Sequence, residues 1–284
     1  MIYNLSIKAI ETSLPKNSFK IYSLKKKNPS WDIKKIIAKT GIEKIWYTKK
    51  NQTALDLAFE ASKKILKKIN KESIDTLIYV TQSPEYFLPT TACILQHKLG
   101  LDNRVKAFDI NLGCSGFVYA VATADQFIKT GMYKNVLVIG SEYHSGGLDM
   151  TTRGRNISVI FGDGAGAVVM TRSENNETGI LNSQLHSEGK HAKELSLIGP
   201  STGRWVPEIM ENNDPDDISY YPYMNGQFVF KNAVVRFSEV IMAGVKKAGW
   251  KPENIDMLIP HQANLRISQF VQKKFGLSDT QVYN

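Results

Sequence analysis

Hydrophobic and polar positions along this chain follow first a helical and then a strand-like period, and that order occurs twice. Residues 53 to 83, "TALDLAFEASKKILKKINKESIDTLIYVTQS", open with a run of helical period that ends in a Lys-Lys pair. A turn follows, then the continuous apolar run expected of a strand buried on both faces. Residues 232 to 262, "NAVVRFSEVIMAGVKKAGWKPENIDMLIPHQ", repeat the sequence of elements. The links "KESIDTLIYV" (71 to 80) and "PENIDMLIPH" (252 to 261) align at an offset of 181 positions. Thr53, followed three residues later by Asp56, predicts a capping box at the start of the first helix.

The first copy continues through a predicted strand over 105 to 110 ("VKAFDI"), a helix over 115 to 130, and strands over 135 to 142 ("NVLVIGSE") and 164 to 172 ("GAGAVVMTR"). Strands that alternate with helices predict an α/β sandwich on mostly parallel sheets. With the repeat, this gives two halves, residues 1–173 and 174–284. The second copy reaches Asn284, which the offset equates with position 103 of the first. The strand, helix and strand pair expected next have no counterpart, so the second half is expected to be incomplete. Between the copies, residues 201 to 226 ("STGRWVPEIMENNDPDDISYYPYMNG") break both periods and predict a long loop or lid.

Composition adds two constraints. The 284 residues are 42% hydrophobic, enough for a substantial core. No apolar run approaches the ~18 residues of a membrane span. Two cysteines do not make a disulfide framework, and the opening "MIYNLSIKAIETSLP" has no charged segment leading into an apolar one. A cytoplasmic protein is expected. The net charge is +9, and residues 17 to 50 hold ten lysines against Asp32 and Glu43. Such a field attracts anions. No aromatic-basic module points to nucleic acid, whereas a phosphate-bearing cofactor or an acidic carrier protein suits the charge, as does a merely solvated lysine-rich face.

Candidate chemistry centres on Cys114, in "AFDINLGCSGFVYAVATADQFIKTG" (107 to 131). It follows a predicted strand and precedes a predicted helix, between glycines. Unpaired N–H groups and the helix dipole at that point favour a thiolate and could hold an oxyanion. A small buried cysteine at a strand–helix junction is the other reading of the same residues. Cys93, on an apolar helical stripe, is expected in the core. A nucleophilic cysteine usually works with a histidine. Of five candidates, His261 ends a predicted buried strand and is followed by Gln262, Asn264 and Arg266. His186 and His191 lie in a predicted loop with no neighbouring cysteine and no clear carboxylate partner, so no metal site is expected. The glycines of "FGDGAGAVVM" (161 to 170) lead into a strand-like run rather than a helix, which argues for tight backbone packing over nucleotide binding.

Together, "DINLGCSGFVYAVATADQFIKTG", "RNISVIFGDGAGAVV" and "IPHQANLRI" resemble the β-ketoacyl-acyl carrier protein synthase III family of the thiolase-like superfamily. The resemblance implies a thiolase-like fold of duplicated βαβαβαββ halves in a layered α/β sandwich. It implies that Cys114 takes an acyl group from acyl-CoA, and that malonyl-acyl carrier protein then loses CO2 and condenses with it. His261 matches the histidine that stabilises the decarboxylation enolate. Asn264 and Arg266 match residues lining the pantetheine tunnel. Lys39 matches a basic residue near the CoA nucleotide. Arg155, with Arg153 as its nearest rival, matches an arginine stacked on the adenine. Lys273 and Lys274, with Arg266, match basic residues that face the carrier protein. No cofactor beyond these substrates is implied, and a homodimer is. The family's third catalytic residue, an asparagine in a "GNTS"-like turn about thirty residues past the histidine, would fall after Asn284. The aromatic that covers the adenine aligns with Lys35, while Trp31 is four residues earlier. Leu88 stands where many members carry a phenylalanine in the dimer-contact loop. Two rival readings stand beside condensation: acyl transfer to an alcohol or amine, and a non-catalytic partner that binds carrier proteins. Thiolase activity is disfavoured, since no second cysteine lies near a C-terminal site.

Overall fold

The computed structural model describes residues 4–173, 178–201, 211, 214 and 217–284. In chain order the strands are β1 (Leu5–Ser13), β2 (Asn17–Lys20), β3 (Lys44–Tyr47), β4 (Thr76–Val80), β5 (Lys106–Ile110), β6 (Asn135–Glu142), β7 (Gly164–Arg172), β8 (Leu195–Ser196) and β9 (Tyr223–Met224). The α-helices whose bounds fall among the described residues are α1 (Leu24–Lys27), α2 (Ile33–Thr40), α3 (Ala54–Ile65), α4 (Thr91–Lys98), α5 (Gly116–Lys129), α6 (Arg155–Ser158), α7 (Gly226–Lys247) and α8 (Leu265–Phe275). They fall into two compact units. The first takes in Met1–Ser18, Trp46–His144 and Gly162–Ser183; the second takes in Phe19–Ile45, Ser145–Phe161 and Gln184–Asn284. Residues 19–45 and 145–161 of the N-terminal sequence half thus cluster with C-terminal ones.

The first unit is built on one five-stranded sheet in the order β1-β7-β6-β4-β5. β4 runs parallel to both β5 and β6, whereas β7 is antiparallel to β6 and β1. The sheet is therefore mixed, not mostly parallel as the alternation predicts. The connection from β6 to β7 holds only a 3₁₀ turn at Ser145–Gly147 and the four-residue α6, with no full crossover helix to bring the strand round parallel.

All five residues of β4 are buried, and side-chain alternation explains how. Leu77 and Tyr79 join Leu57, Ala58, Ala61 and Ile65 of α3 and Ala92 and Leu95 of α4 in one core layer. Ile78 and Val80 join Ala120, Ala124 and Ile128 of α5 in the other. Helices cover both faces, which is why the run reads as continuously apolar. α3 begins with the predicted capping box, the Thr53 N–H donating to Asp56 Oδ2 at 3.1 Å. Gly116, Ala120 and Ala124 recur every four residues on the buried side of α5. A methyl group built on Gly116 would lie 2.5 Å from Val80 Cγ1, so only glycine lets α5 start this close to the end of β4.

The second unit has its own apolar cluster of Ile21, Leu24, Trp31, Ile33, Ile45 and Val159. Its helix α2 ends at Gly41 (φ +78°), where a methyl would meet Leu265 Cβ of α8 at 3.2 Å. A left-handed, side-chain-free residue thus permits α2 to abut α8. α7 begins at Gly226, six residues before the predicted run, because Asn225 caps it by accepting from the Phe228 N–H at 3.2 Å.

The strand predicted to end at His261 does not form. Residues 255–261 make one parallel bridge, Leu258 to Val282, and Met257 and Ile259 are 51% and 73% exposed. An apolar run becomes a strand only where neighbours take up its N–H and C=O groups, and here only one side has a partner. Half of the predicted lid, 201 to 226, lies outside the described residues. The described part holds a 3₁₀ turn at Ile218–Tyr220 and β9, which pairs antiparallel with β8. Among the described residues no helix is long and apolar enough to cross a membrane.

Candidate active site

Three strand ends meet around Cys114 in the first unit. β5 ends at Ile110 and the chain turns through Asn111–Ser115 into α5. The Gly116 N–H closes that turn on the Gly113 carbonyl at 2.7 Å. β4 ends beside it, and its following residue Thr81 donates its N–H to the Ile110 carbonyl at 3.3 Å. Gln82 then packs against Gly113, whose added methyl would stand 3.2 Å from Gln82 Nε2. β6 ends at Glu142, opposite Gly164 of β7.

Cys114 is exposed, which does not fit a buried structural cysteine. Its ionisation differs from expectation. Protein crowding the sulfur from behind withholds water from the charged form and pushes the thiol up, and the Glu142 carboxylate adds to this. A hydrogen bond from the cysteine's own backbone opposes both. The predicted lowering does not win, because the loss of water around the sulfur outweighs the backbone hydrogen bond that favours the thiolate. Cys93 also departs from expectation. It lies in the first turn of α4 and is exposed, with its sulfur 3.1 Å from Thr90 Oγ1. The buried stripe of α4 is carried instead by Thr91, Ala92 and Leu95.

Glu142 was not singled out by the sequence, though a carboxylate closing an otherwise apolar strand was the available signal. It accepts from the Gln82 N–H at 2.9 Å, from the Ser83 hydroxyl at 2.8 Å and from the Thr81 hydroxyl at 3.5 Å. Burial pushes its carboxyl group up to about 7 against these hydrogen bonds. His144 Nε2 lies 3.9 Å from it, and burial holds that imidazole below the ordinary histidine value. The aspartate of the "FGDG" segment, Asp163, accepts the N–H groups of Thr48 at 2.7 Å and His144 at 2.8 Å. Of those glycines, Gly164 packs against Leu14, whose Cδ2 an added methyl would meet at 3.3 Å, while a methyl on Gly166 would meet nothing within 4 Å.

The other predicted site residues lie in the second unit. His261 is exposed to solvent, yet the protein packed around it holds its imidazole below the usual value and so favours the neutral ring. Asn264 caps α8, its side-chain oxygen accepting from the Arg266 N–H at 3.1 Å. Arg266, Lys273 and Lys274 are exposed on α8. Lys39 is exposed in the last turn of α2, the helix that abuts α8. Arg155 opens α6 and is half-buried. Its rival Arg153 is engaged by Asp149 at 2.6 Å and lies 4.9 Å over the Tyr221 ring. Trp31 is fully buried and donates to Thr152 Oγ1 at 3.2 Å, so it is a core residue with no face left for an adenine. Among the described residues no group of three or more His, Cys, Asp or Glu side chains is arranged to hold a metal ion.

The mixed sheet between helical layers, with an exposed cysteine on a strand-to-helix turn, is the thiolase-like architecture of the condensing-enzyme structures this chain is similar to. The family model for 3-oxoacyl-[acyl-carrier-protein] synthase III matches residues 108–189, and that for the C-terminal part of the same synthase matches 245–284. The 3-oxoacyl-[acyl-carrier-protein] synthase III from Aquifex aeolicus VF5 is 36% identical with a TM-score of 0.85, over 98% of this chain and 83% of that one. The β-ketoacyl-[acyl carrier protein] synthase III from Thermus thermophilus is 30% identical with a TM-score of 0.85, over 98% and 83%. The priming β-ketosynthase of the R1128 polyketide pathway, at 23% identity and TM-score 0.82 over 100% and 81%, shares the fold. The chain belongs to the 3-oxoacyl-[acyl-carrier-protein] synthase III family, acyltransferases of the condensing type that use coenzyme A thioesters and acyl carrier protein.

Proposed function

We propose that this protein moves an acyl group from acyl-CoA onto Cys114 and condenses it with malonyl-acyl carrier protein to give a 3-oxoacyl-acyl carrier protein. The observation that carries the reading is the exposed Cys114 at the β5–α5 turn, inside the residues matched to the synthase III family. The sulfur, having lost its proton, attacks the thioester carbonyl, the C–S bond to coenzyme A breaks, and the departing thiolate takes up a proton. The Cys114 N–H is the donor for the oxyanion of this step. In the second half-reaction the malonyl C–C bond breaks with release of CO2. The resulting enolate attacks the acyl carbon, and the Cys114 thiolate leaves. His261, kept neutral, donates a hydrogen bond to the enolate oxygen.

Charge supports the remaining assignments. Lys39 and Arg155 receive the nucleotide part of coenzyme A, and Asn264 and Arg266 receive the pantetheine arm. Arg266, Lys273 and Lys274 along one helix suit an acidic carrier protein. No cofactor beyond the two thioesters is required. Tyr86, Phe87 and Leu88, 57%, 70% and 85% exposed in consecutive positions, suit the contact of a homodimer. Incubation with a short acyl-CoA should add one acyl mass at Cys114, and Cys114→Ser should abolish it while Cys93→Ser does not. Release of CO2 from malonyl-acyl carrier protein should follow. An acylated enzyme that passes the acyl group to an alcohol or amine without releasing CO2 would overturn the condensation step.

A further inference from the structure

The carboxyl group of Glu142 has no part in the steps above, yet it joins the ends of all three strands at Cys114. It takes the Gln82 N–H through both oxygens, at 2.9 and 3.1 Å, and the Ser83 hydroxyl at 2.8 Å. Ser83 Oγ in turn lies 3.1 Å from the Tyr143 carbonyl and 3.2 Å from the Tyr143 N–H, which closes the loop back onto β6. On its other side, that loop is tied through the Thr81 N–H to Ile110, the residue at which β5 turns toward the cysteine. The Gln82 amide then fills the space a side chain on Gly113 would need. One carboxyl group thus sets the loop that backs the nucleophile turn.

We propose that Glu142 is the positioning residue of the Cys114 turn: through Gln82 it fixes where the thiol stands, and through its charge it governs how readily that thiol ionises. The proposal rests on the reading of Cys114 as the reactive thiol. The charged and titratable groups around the carboxyl group are Cys114 itself, His144 at 3.9 Å, the buried Tyr79 and, behind His144, Asp163. None of these is a cation at neutral pH, since burial lowers His144, so among the described residues it is the hydrogen bonds from the Thr81–Ser83 loop that favour a negative charge on Glu142, and burial outweighs them. An ionised Glu142 opposes the thiolate by like-charge repulsion, and a protonated one does not. With its carboxyl group raised to about 7, Glu142 passes between these states near neutral pH.

The test separates position from charge in full-length protein carrying Cys93→Ser. Glu142→Gln keeps an oxygen for the Gln82 N–H but removes the charge. Glu142→Ala removes both, and Gln82→Ala keeps the charge but removes the packing against Gly113. The first readout is the pH profile of Cys114 alkylation by iodoacetamide, followed by mass. At pH 8.5 Glu142→Gln should react about three-fold faster or more, with its profile moved to lower pH. Gln82→Ala should leave the profile in place. The second readout is acylation by a short acyl-CoA. Glu142→Ala and Gln82→Ala should lower kcat about ten-fold or more with KM little changed, while Glu142→Gln retains most of it. Alkylation profiles that coincide for parent and Glu142→Gln, or acylation that is equal in Glu142→Gln and Glu142→Ala, would overturn the proposal. If the parent is alkylated at Cys114 but never acylated, the acyl-transfer reading fails, and the alkylation profiles still decide the role of Glu142.

Discussion

Two stretches of nearly the same sequence pattern meet different fates in this molecule. "KESIDTLIYV" and "PENIDMLIPH" both begin with a 3₁₀ turn, at Lys71–Ser73 and Pro252–Asn254. Beyond the turn they diverge. Thr76–Val80 becomes a strand held parallel on both sides and buried at every position. The equivalent residues 257–261 make a single parallel bridge and stay largely exposed. That bridge still carries the imprint of the duplication, because Leu258 is the counterpart of Leu77, which pairs parallel with Ala107. The local sequence therefore decides the turn. Whether an apolar run becomes a strand depends on who stands beside it.

The difference can be broken with one residue in each copy. Ile78 is fully buried and its counterpart Ile259 is mostly exposed. Ile78→Ala should cost ~2–5 kcal/mol in urea unfolding, while Ile259→Ala should stay within ~0.5 kcal/mol. Equal losses would mean that 257–261 is covered as fully as β4.

The ends of the two runs sharpen the contrast. At the end of β4 the first copy places Val80, buried beneath Gly116, where the second places His261, exposed. His261→Ala should leave Cys114 acylation within a few-fold of the parent but slow CO2 release ~10²-fold or more, the loss seen when an oxyanion donor is removed. Stopped-time mass measurement and a CO2 assay read the two half-reactions separately. If both fall together, His261 serves the thiol instead.

A smaller effect is expected from the helix that follows the second run. Exchanging Lys273 and Lys274 for glutamate should raise the KM for malonyl-acyl carrier protein several-fold at low salt and leave the KM for acyl-CoA unchanged. The difference should shrink as salt screens exposed charges. A carrier KM indifferent to these charges and to salt would place the docking surface elsewhere.

Much of the first unit was legible in the chain. The strand over 135–142 and that over 164–172 form at the predicted residues, and α5 lies within one residue of its predicted ends. These elements are long, strongly periodic and covered on both faces, so local pattern and tertiary burial agree. The Cys114 turn was equally plain, since glycines on both sides of a thiol between two periods mark it out. The buried placement expected for Cys93 failed because the apolar stripe of α4 turns on Thr91, Ala92 and Leu95, and a two-turn helix hides few residues.

What the sequence determined by itself was the order of elements, the repeat, and which thiol and imidazole carry the chemistry worth testing. Those are properties of residue type and period, which need no neighbour to be read. Only the tertiary structure decided that the sheet is mixed, that the run before His261 is not a strand, and that Trp31 belongs to a core. It also decided that the Cys114 thiol is pushed up rather than down, with Glu142 set among the Thr81–Ser83 loop. Strand pairing and pKa both depend on groups distant in the chain: hydrogen-bond partners for one, water and charge for the other. A carboxylate 28 positions from the cysteine enters its electrostatics only when β6 is laid beside β4 and β4 beside β5.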